Sequence, residues 1–483
     1  MKLGELLSNI NAIRVVGNTD IEIKGITKDS RKAKEGYIFF ATEKSERFAD
    51  DAARRGAGVI VSDGEVKTPF PCAIETEDPK GLLGDIASKF YDFPSKRLYM
   101  IGITGTNGKT TTSYLIESML RIAGKKTGLI GTISYRYGGH TLKADNTTPG
   151  AEDLHSLLHD MELAGTEYVI MEVSSHALDQ KRIEGVDFNT AIFTNLTHDH
   201  LDYHGNIENY KAAKKLFFSH YLKKSSKEGK CAILNADDLN SYGFTPDPPA
   251  RTLFYSIKKP SDAYLTGYRE DISGLQLKLT LMGKPLSVVS PMIGFFNISN
   301  ILAASLAGYV ADMPYEQIKN GIDSLEGVPG RLERVKNGKG VSIFIDYAHT
   351  PDALRKVLEM LNLLKKGKLI VIFGCGGDRD KEKRPVMGNI ASDLADYAII
   401  TSDNPRSEDP MKIIEDIKKG FTNNTCRVVE NRKDAIFEGI KAARQDDVLL
   451  IAGKGHEDYQ IIGDRVFHFS DREVVEEFLD VAC

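Results

Sequence analysis

The stretch Gly102-Ile103-Thr104-Gly105-Thr106-Asn107-Gly108-Lys109-Thr110-Thr111 constrains this chain more than any other. An apolar run, Leu98 to Ile101, leads into it, and the helical pattern Tyr114, Leu115, Ser118, Met119, Ile122 leads out. Strand, glycine loop and helix in that order aim backbone N–H groups and a helix N-terminus at an anion. Lys109 then reaches terminal phosphates and the Thr110 hydroxyl can ligate Mg²⁺. The stretch is therefore expected to cradle a nucleoside triphosphate through Gly105, Thr106, Asn107, Gly108, Lys109, Thr110 and Thr111. Its spacing is a variant, because Gly102 stands one position too early and Gly105 too late for the usual pattern. A plain turn explains the glycines but not Lys-Thr-Thr at the helix start.

A chain of 483 residues exceeds one ordinary core, and about 150 residues per domain gives about three. The expected domains are 1–97, 98–330 and 331–483, all α/β. Short strands alternate with helices in the first (Ile21 to Ile26, Gly36 to Ala41, the helical Ala49 to Gly56, Val59 to Val61, Ala73 to Ile74). Its turn Thr27-Lys28-Asp29-Ser30-Arg31 can meet phosphate or sugar hydroxyls, or be a solvated turn. The first boundary falls at Tyr91 to Arg97, where a helix ends before Pro94, and the second in Gly327-Val328-Pro329-Gly330. A formal net charge of −5 argues against a generic nucleic-acid binder. The five scattered cysteines form no C-x-x-C pair and fit a reducing cytosol. No run approaches the roughly 18 apolar residues of a membrane span, and the N-terminus lacks a signal-peptide core, so a cytoplasmic protein is expected.

In the central domain, a mostly parallel sheet is expected to carry its polar residues at the carboxyl ends of its strands, beside the glycine loop. The strand Tyr168 to Val173 brings Glu172 there and runs into Ser174-Ser175-His176; Thr190 to Asn195 runs into Thr197-His198-Asp199-His200-Leu201-Asp202-Tyr203-His204. Three histidines and two aspartates in that short run suggest a metal, either zinc or, beside a phosphate loop, Mg²⁺. In the helix Asn209 to Ser219, Lys214 lies between Tyr210 and Phe218 at the edge of the apolar face. It either snorkels to water or is a functional lysine with a lowered pKa. Asn297 and Asn300, opening the apolar helix Ile301 to Val310, either face a purine or cap the helix. Arg331, at the second boundary, either meets phosphate or makes an interdomain salt bridge.

The third domain has strands at Ser342 to Asp346, Leu369 to Phe373, Tyr397 to Thr401 and Asp447 to Ile451, whose polar ends are expected at one sheet edge. Arg379 and Arg406 can clamp a carboxylate there and Glu457 can pair with an ammonium, demands that an amino acid meets together.

These motifs together resemble the Mur ligase family, and within it the ligases that add the third peptide residue. The carriers are Gly105 to Thr111, Met171-Glu-Val-Ser-Ser-His176, Asn195 to Gly205, Tyr210-Lys-Ala-Ala-Lys214, Gly330-Arg-Leu-Glu333, Asp346-Tyr-Ala-His349, Asp403-Asn-Pro-Arg406 and Gly453-Lys-Gly-His-Glu457. The resemblance implies a UDP-substrate domain, a P-loop ATPase domain and a Rossmann-like amino-acid domain; a monomer is expected. It implies ATP and Mg²⁺, with Thr110 and Glu172 on one ion, and His200 and a carbamylated Lys214 on the second. Lys109 and Arg331 would serve phosphoryl transfer, with Asn297, Asn300 and Asp346 also on the nucleotide side. Ser30, Asn146, Thr147, Thr148, Ser174, Gln180 and Arg182 would bind UDP-N-acetylmuramoyl-L-alanyl-D-glutamate. Arg379, Asp403, Asn404, Pro405, Arg406, Gly453 and Glu457 would bind the incoming amino acid.

Members of the family that add diaminopimelate carry Asp-Asn-Pro-Arg, which implies meso-diaminopimelate here; L-lysine would leave Arg406 unpaired at a cost of about 1–3 kcal/mol. The family's usual Gly-x-x-x-Asp-Gly-His-x-Phe segment is replaced by Ala41 to Phe48, so in the first domain the UDP substrate is carried over on Ser30 and the Asp29-Ser30-Arg31 turn rather than on that segment. Folylpolyglutamate synthase shares the P-loop chemistry but leaves the first domain and the Asp403 to Arg406 loop without a role. An ATP-driven switch would give Glu172, His200 and Lys214 no reason to occur together.

Overall fold

The alternating strand and helix periods are realised in a computed structural model that describes residues 1–8, 10, 13–42, 46–64, 68–423 and 425–481. The chain divides into two compact units: residues 1–265, 280–286 and 299–321 form one, and residues 266–279, 287–298 and 322–483 the other.

The first unit opens with a five-stranded sheet of β1 (Arg14–Gly17), β2 (Gly25–Thr27), β3 (Tyr37–Phe40), β4 (Val59–Ser62) and β5 (Cys72–Glu75), in the order β1-β5-β4-β3-β2. Only the β1–β5 pair is antiparallel. The helix Pro79–Phe90 packs Leu82, Leu83 and Ile86 on the sheet's apolar core. It starts where Asp78 caps the Gly81 amide at 3.0 Å, and Pro79 stands in its first turn. Of the unusual segment Ala41 to Phe48, residues Glu43, Lys44 and Ser45 lie outside the described residues.

The unit's second sheet holds β6 (Tyr99–Thr104), β7 (Thr127–Ile130), β8 (Ser134–Tyr137), β9 (His140–Lys143), β10 (Tyr168–Glu172), β11 (Thr190–Phe193), β12 (Cys231–Asn235) and β13 (Arg251–Ser256). Their order is β9-β8-β7-β10-β6-β11-β12-β13, parallel from β7 to β13. The central strands are apolar on both faces, as a covered parallel sheet requires. The β8–β9 hairpin went unanticipated. Its signal was the Gly138-Gly139 pair, both at positive φ (52° and 84°), which suits a tight two-residue turn. Gly102 has a packing role: a Cβ there would lie 2.3 Å from the Phe217 ring and 2.8 Å from Phe188. The strands β14 (Ala263–Asp271), β15 (Gly274–Leu281) and β16 (Lys284–Ser290), and the helix Phe296–Val310, run across the division between the units.

The second unit contains a six-stranded sheet of β17 (Glu333–Val335), β18 (Ser342–Asp346), β19 (Leu369–Phe373), β20 (Tyr397–Ile400), β21 (Cys426–Val428) and β22 (Val448–Ala452). The order is β17-β18-β22-β19-β20-β21, with only β17 antiparallel. The hairpin of β23 (Tyr459–Ile462) and β24 (Arg465–His468) follows. No described helix is long and apolar enough to cross a membrane.

Candidate active site

In the first unit, parallel pairing brings the carboxyl ends of β7, β10, β6 and β11 side by side. After β6 the chain turns through Gly105 (φ +147°) and Gly108 (φ +87°) into the helix Lys109–Ile122. Both glycines are sterically required: a Cβ at 105 would lie 1.9 Å from Thr194 Oγ1, and one at 108 would lie 2.3 Å from Asn300 Oδ1. The loop is pinned from β11. Thr106 N donates to Asn195 O at 2.8 Å, Asn107 N to Asn195 Oδ1 at 3.0 Å, and Thr194 Oγ1 to Asn107 O at 2.6 Å. Lys109 folds over the loop and donates to Gly105 O (2.8 Å) and Thr106 O (3.0 Å). Thr111 is buried in the first turn of the helix.

Thr110 and Glu172 meet at this edge, Oγ1 donating to Oε2 at 3.0 Å. Glu172 is 1% exposed and takes two further bonds from Thr132, whose amide reaches Oε1 and hydroxyl reaches Oε2, each at 3.0 Å. Thr132 escaped the sequence reading because it follows a different strand, β7. Its hydroxyl also lies 3.0 Å from that of Thr147. Thr148 joins the same edge, bonding Glu172 O (2.9 Å) and accepting from Ser174 N (3.0 Å). Arg182 donates to Thr148 O at 3.0 Å and forks onto Gln180 Oε1 at 3.0 and 2.7 Å. Thr147, Thr148, Ser174, Gln180 and Arg182 thus form one connected wall, while Asn146 is exposed beside it. Ser30 is 5% exposed, with its hydroxyl on Asp51, and Arg31 closes on Asp29 at 2.7 Å. The turn is folded onto itself.

Lys214 does not snorkel. On the helix Ile207–Leu216 it is 1% exposed, with Nζ 4.3 Å from the centre of the Tyr210 ring. Tyr210 in turn places its hydroxyl 3.1 Å from Thr106 Oγ1, so the lysine and the phosphate loop share a neighbour. Burial, and then the nearby Lys109 charge, hold the Lys214 amine well below the ordinary lysine range. His200, at φ +52°, packs edge-on to His176 at 4.9 Å, and burial lowers its pKa. No cluster of three or more His, Cys, Asp or Glu suited to a metal occurs among the described residues. The Thr110 and Glu172 oxygens nevertheless form a hard donor pair that suits Mg²⁺ beside phosphate. His200 with an unmodified lysine does not, unless Lys214 becomes an oxygen ligand.

Asn300 lies within the helix Phe296–Val310 against Gly108, so it is not an N-cap. Asn297, likewise inside that helix, donates to Ile293 O at 2.7 Å.

In the second unit, the carboxyl ends of β18, β19, β20 and β22 line one edge. Asp346 is buried and accepts from Leu332 N (2.7 Å) and Ala348 N (2.8 Å), and so fixes the backbone around Arg331. Burial raises its pKa against the opposing pull of Arg331. Arg331 lies over the Tyr347 ring at 5.1 Å. Asn404 is 3% exposed and donates to Glu457 Oε2 at 2.9 Å; Lys454, fully buried, bridges Asn404 Oδ1 (3.2 Å) and Glu457 Oε2 (3.1 Å). Lys454 stood in the same quoted motif as Glu457, but its other partner, Asn404, comes from the end of β20. Asp403 sits against Gly453, where a Cβ would lie 2.7 Å from Oδ2, and Pro405 is buried beside it. Arg406 (φ +52°) donates to Gly377 O at 2.6 Å, and Arg379 is exposed in the adjoining loop.

Comparison with known proteins matches this architecture. Residues 103–308 match the Mur ligase middle domain and residues 330–455 the Mur ligase, glutamate ligase domain. The UDP-N-acetylmuramoyl-L-alanyl-D-glutamate--2,6-diaminopimelate ligase of Bacillus licheniformis is 43% identical, covering 99% of each chain. That of Bacillus cereus is 42% identical, covering 99% of this chain and 98% of its own. A solved structure of a ligase of the same name superposes with a TM-score of 0.73 at 32% identity, covering 100% of this chain and 99% of that one.

Proposed function

Because this chain belongs to the Mur ligase family, we propose that it is an ATP-dependent ligase of peptidoglycan precursor synthesis that adds diaminopimelate, in its meso form. The acceptor is the D-glutamate of UDP-N-acetylmuramoyl-L-alanyl-D-glutamate. The work divides among 1–97 for the UDP-substrate, 98–330 for ATP and 331–483 for the amino acid.

The γ-phosphoryl group passes from ATP to the side-chain carboxylate of D-glutamate, giving an acyl phosphate and ADP. The diaminopimelate amine attacks the acyl carbon, and the tetrahedral intermediate expels phosphate and loses a proton to leave an amide. Lys109, held over the loop, offsets negative charge on the phosphates, and the loop amides orient them. Thr110 and Glu172 would hold one Mg²⁺, and His200 with carbamylated Lys214 a second; bound Mg²⁺ neutralises phosphate charge. Thr132 fixes both oxygens of Glu172, and burial lowers the Lys214 pKa, which favours the neutral amine that can take up CO₂. The wall from Thr147 to Arg182 receives the muramoyl peptide, and Asn146 and Ser30 extend it toward the uridine end. Arg331 serves the phosphates with Asp346 fixing its backbone, and Asn300 and Asn297 flank the nucleotide.

The choice of amino acid rests on one observation: Asn404 and Glu457, bound to each other at 2.9 Å, share a sheet edge with Arg406. The first pair suits an α-ammonium and the arginine a distal carboxylate, which lysine lacks. ATP-dependent phosphate release, compared with meso-diaminopimelate, L-lysine and no amino acid, with the product weighed by mass spectrometry, tests this. Tripeptide with diaminopimelate is expected; equal or better turnover with lysine would discard the assignment.

A further inference from the structure

The loops that carry Arg379 and Arg406 are cross-tied by two carboxylates. Asp378, in the first loop, accepts from the hydroxyl and amide of Ser407, in the second, at 2.6 and 3.2 Å. Glu408, in the second loop, accepts from the Asp378 amide at 2.7 Å. Gly377 N donates to Asn404 O at 2.9 Å, and a Cβ on Gly377 would lie 1.9 Å from Pro405 O, so the two backbones touch. Beneath them Arg384, on the helix Lys383–Leu394, is 1% exposed. It forks onto Glu408 through Nη2–Oε1 (2.9 Å) and Nη1–Oε2 (3.1 Å), and reaches Asp416 at 3.1 Å.

A buried ion pair is weak evidence for stability, because desolvation offsets most of the attraction. Its planar fork does fix geometry. Arg384 orients Glu408, Glu408 holds the amide of Asp378, and Arg379 is the next residue along. On the other strand of the tie, Glu408 stands two residues from Arg406. Arg384 and the Asp378 amide hold the Glu408 carboxyl down to about 2, so the tie stays ionised at neutral pH.

We propose that Arg384 and Glu408 are positioning residues for amino-acid selection, locking the 376–380 and 403–408 loops into one body that sets the separation of the Arg379 and Arg406 guanidiniums. The proposal rests on the reading of this edge as the diaminopimelate site.

Steady-state kinetics of the full chain and of Glu408→Gln, with meso-diaminopimelate and with L-lysine, test it. Glu408→Gln is expected to raise KM for diaminopimelate about 10- to 100-fold, since a small misplacement of a clamp is enough for that. The preference for diaminopimelate over lysine narrows by a similar factor, while kcat and the KM values for ATP and the UDP-substrate stay within about twofold. Asp378→Asn, on an exposed loop, gives the same signature by a second route. In a Glu408→Gln background, Arg406→Ala adds less than it does alone. Unchanged KM and preference in both folded variants would overturn the proposal, as would all three KM values and kcat moving together. A parent chain that makes no tripeptide with diaminopimelate would overturn the site reading itself, and the proposal with it.

Discussion

Lys214 Nζ lies 4.3 Å from the centre of the ring of Tyr210, the residue one helical turn earlier, in a site from which water is almost wholly excluded. No described residue hydrogen-bonds to that nitrogen. A protonated amine there would be desolvated and repelled by Lys109, so the neutral amine is favoured. A neutral amine can attack CO₂ and release a proton to solvent, and the carbamate so formed would supply the anionic oxygen that the His200 side of the site lacks.

Lys214→Ala is therefore expected to lower kcat by at least about 100-fold, with partial recovery on adding a small carboxylate such as propionate. Protein equilibrated with ¹³C-labelled CO₂ should show a carbamate resonance that the variant lacks. Full activity of Lys214→Ala in CO₂-free buffer would discard the modification.

Thr132 acts through Glu172, to which it gives two of three hydrogen bonds. Thr132→Val keeps the shape and the amide bond but removes the hydroxyl. The Mg²⁺ concentration for half-maximal turnover should rise about 10-fold or more, with little change in melting temperature. An unchanged Mg²⁺ titration would show that Glu172 needs no such support.

Arg406 is held by its own fold, with its amide on Ile461 O at 3.1 Å and Nη1 on Gly377 O at 2.6 Å. Arg406→Ala should lower kcat/KM for diaminopimelate about 100-fold or more and leave that for lysine nearly unchanged. Parallel losses for both amino acids would assign the arginine to folding.

His155 is fully buried, and burial lowers its pKa to about 4. Its unfolded value is about 6.5, so between those two pH values the unfolded chain binds more protons and stability falls as pH falls. Moving from pH 7 to pH 5 should cost about 2 kcal/mol through this residue alone. His155→Gln, which can keep the bond to Glu184 O, should lose that much less over the same interval in chemical denaturation. Equal losses in the two proteins would show that His155 is protonated in the fold.

The parts of this protein legible in the sequence are those governed by local stereochemistry. Lys109 and Thr110 open a helix after a glycine turn, Glu172 ends a central strand, and Asp403 to Arg406 and Gly453 to Glu457 follow parallel strands. Hydrophobic period and turn residues suffice to put each of these at a carboxyl edge, because both act over a few residues. Which partner each side chain takes is a different matter. Lys214 is sealed under Tyr210, Thr132 reaches Glu172 from a neighbouring strand, and Ser30 turns onto Asp51. Asp346 gives its oxygens to backbone amides, and Arg384 braces two loops through Glu408. Apart from Lys214 with Tyr210 and Asp346 with Ala348, which are neighbours along the chain, these pairings join residues on separate elements, and strand order and close packing select them. Local sequence therefore sets the chemistry available at each strand end, whereas burial, pairing and register arise from contacts that exist only once the sheets are assembled and packed.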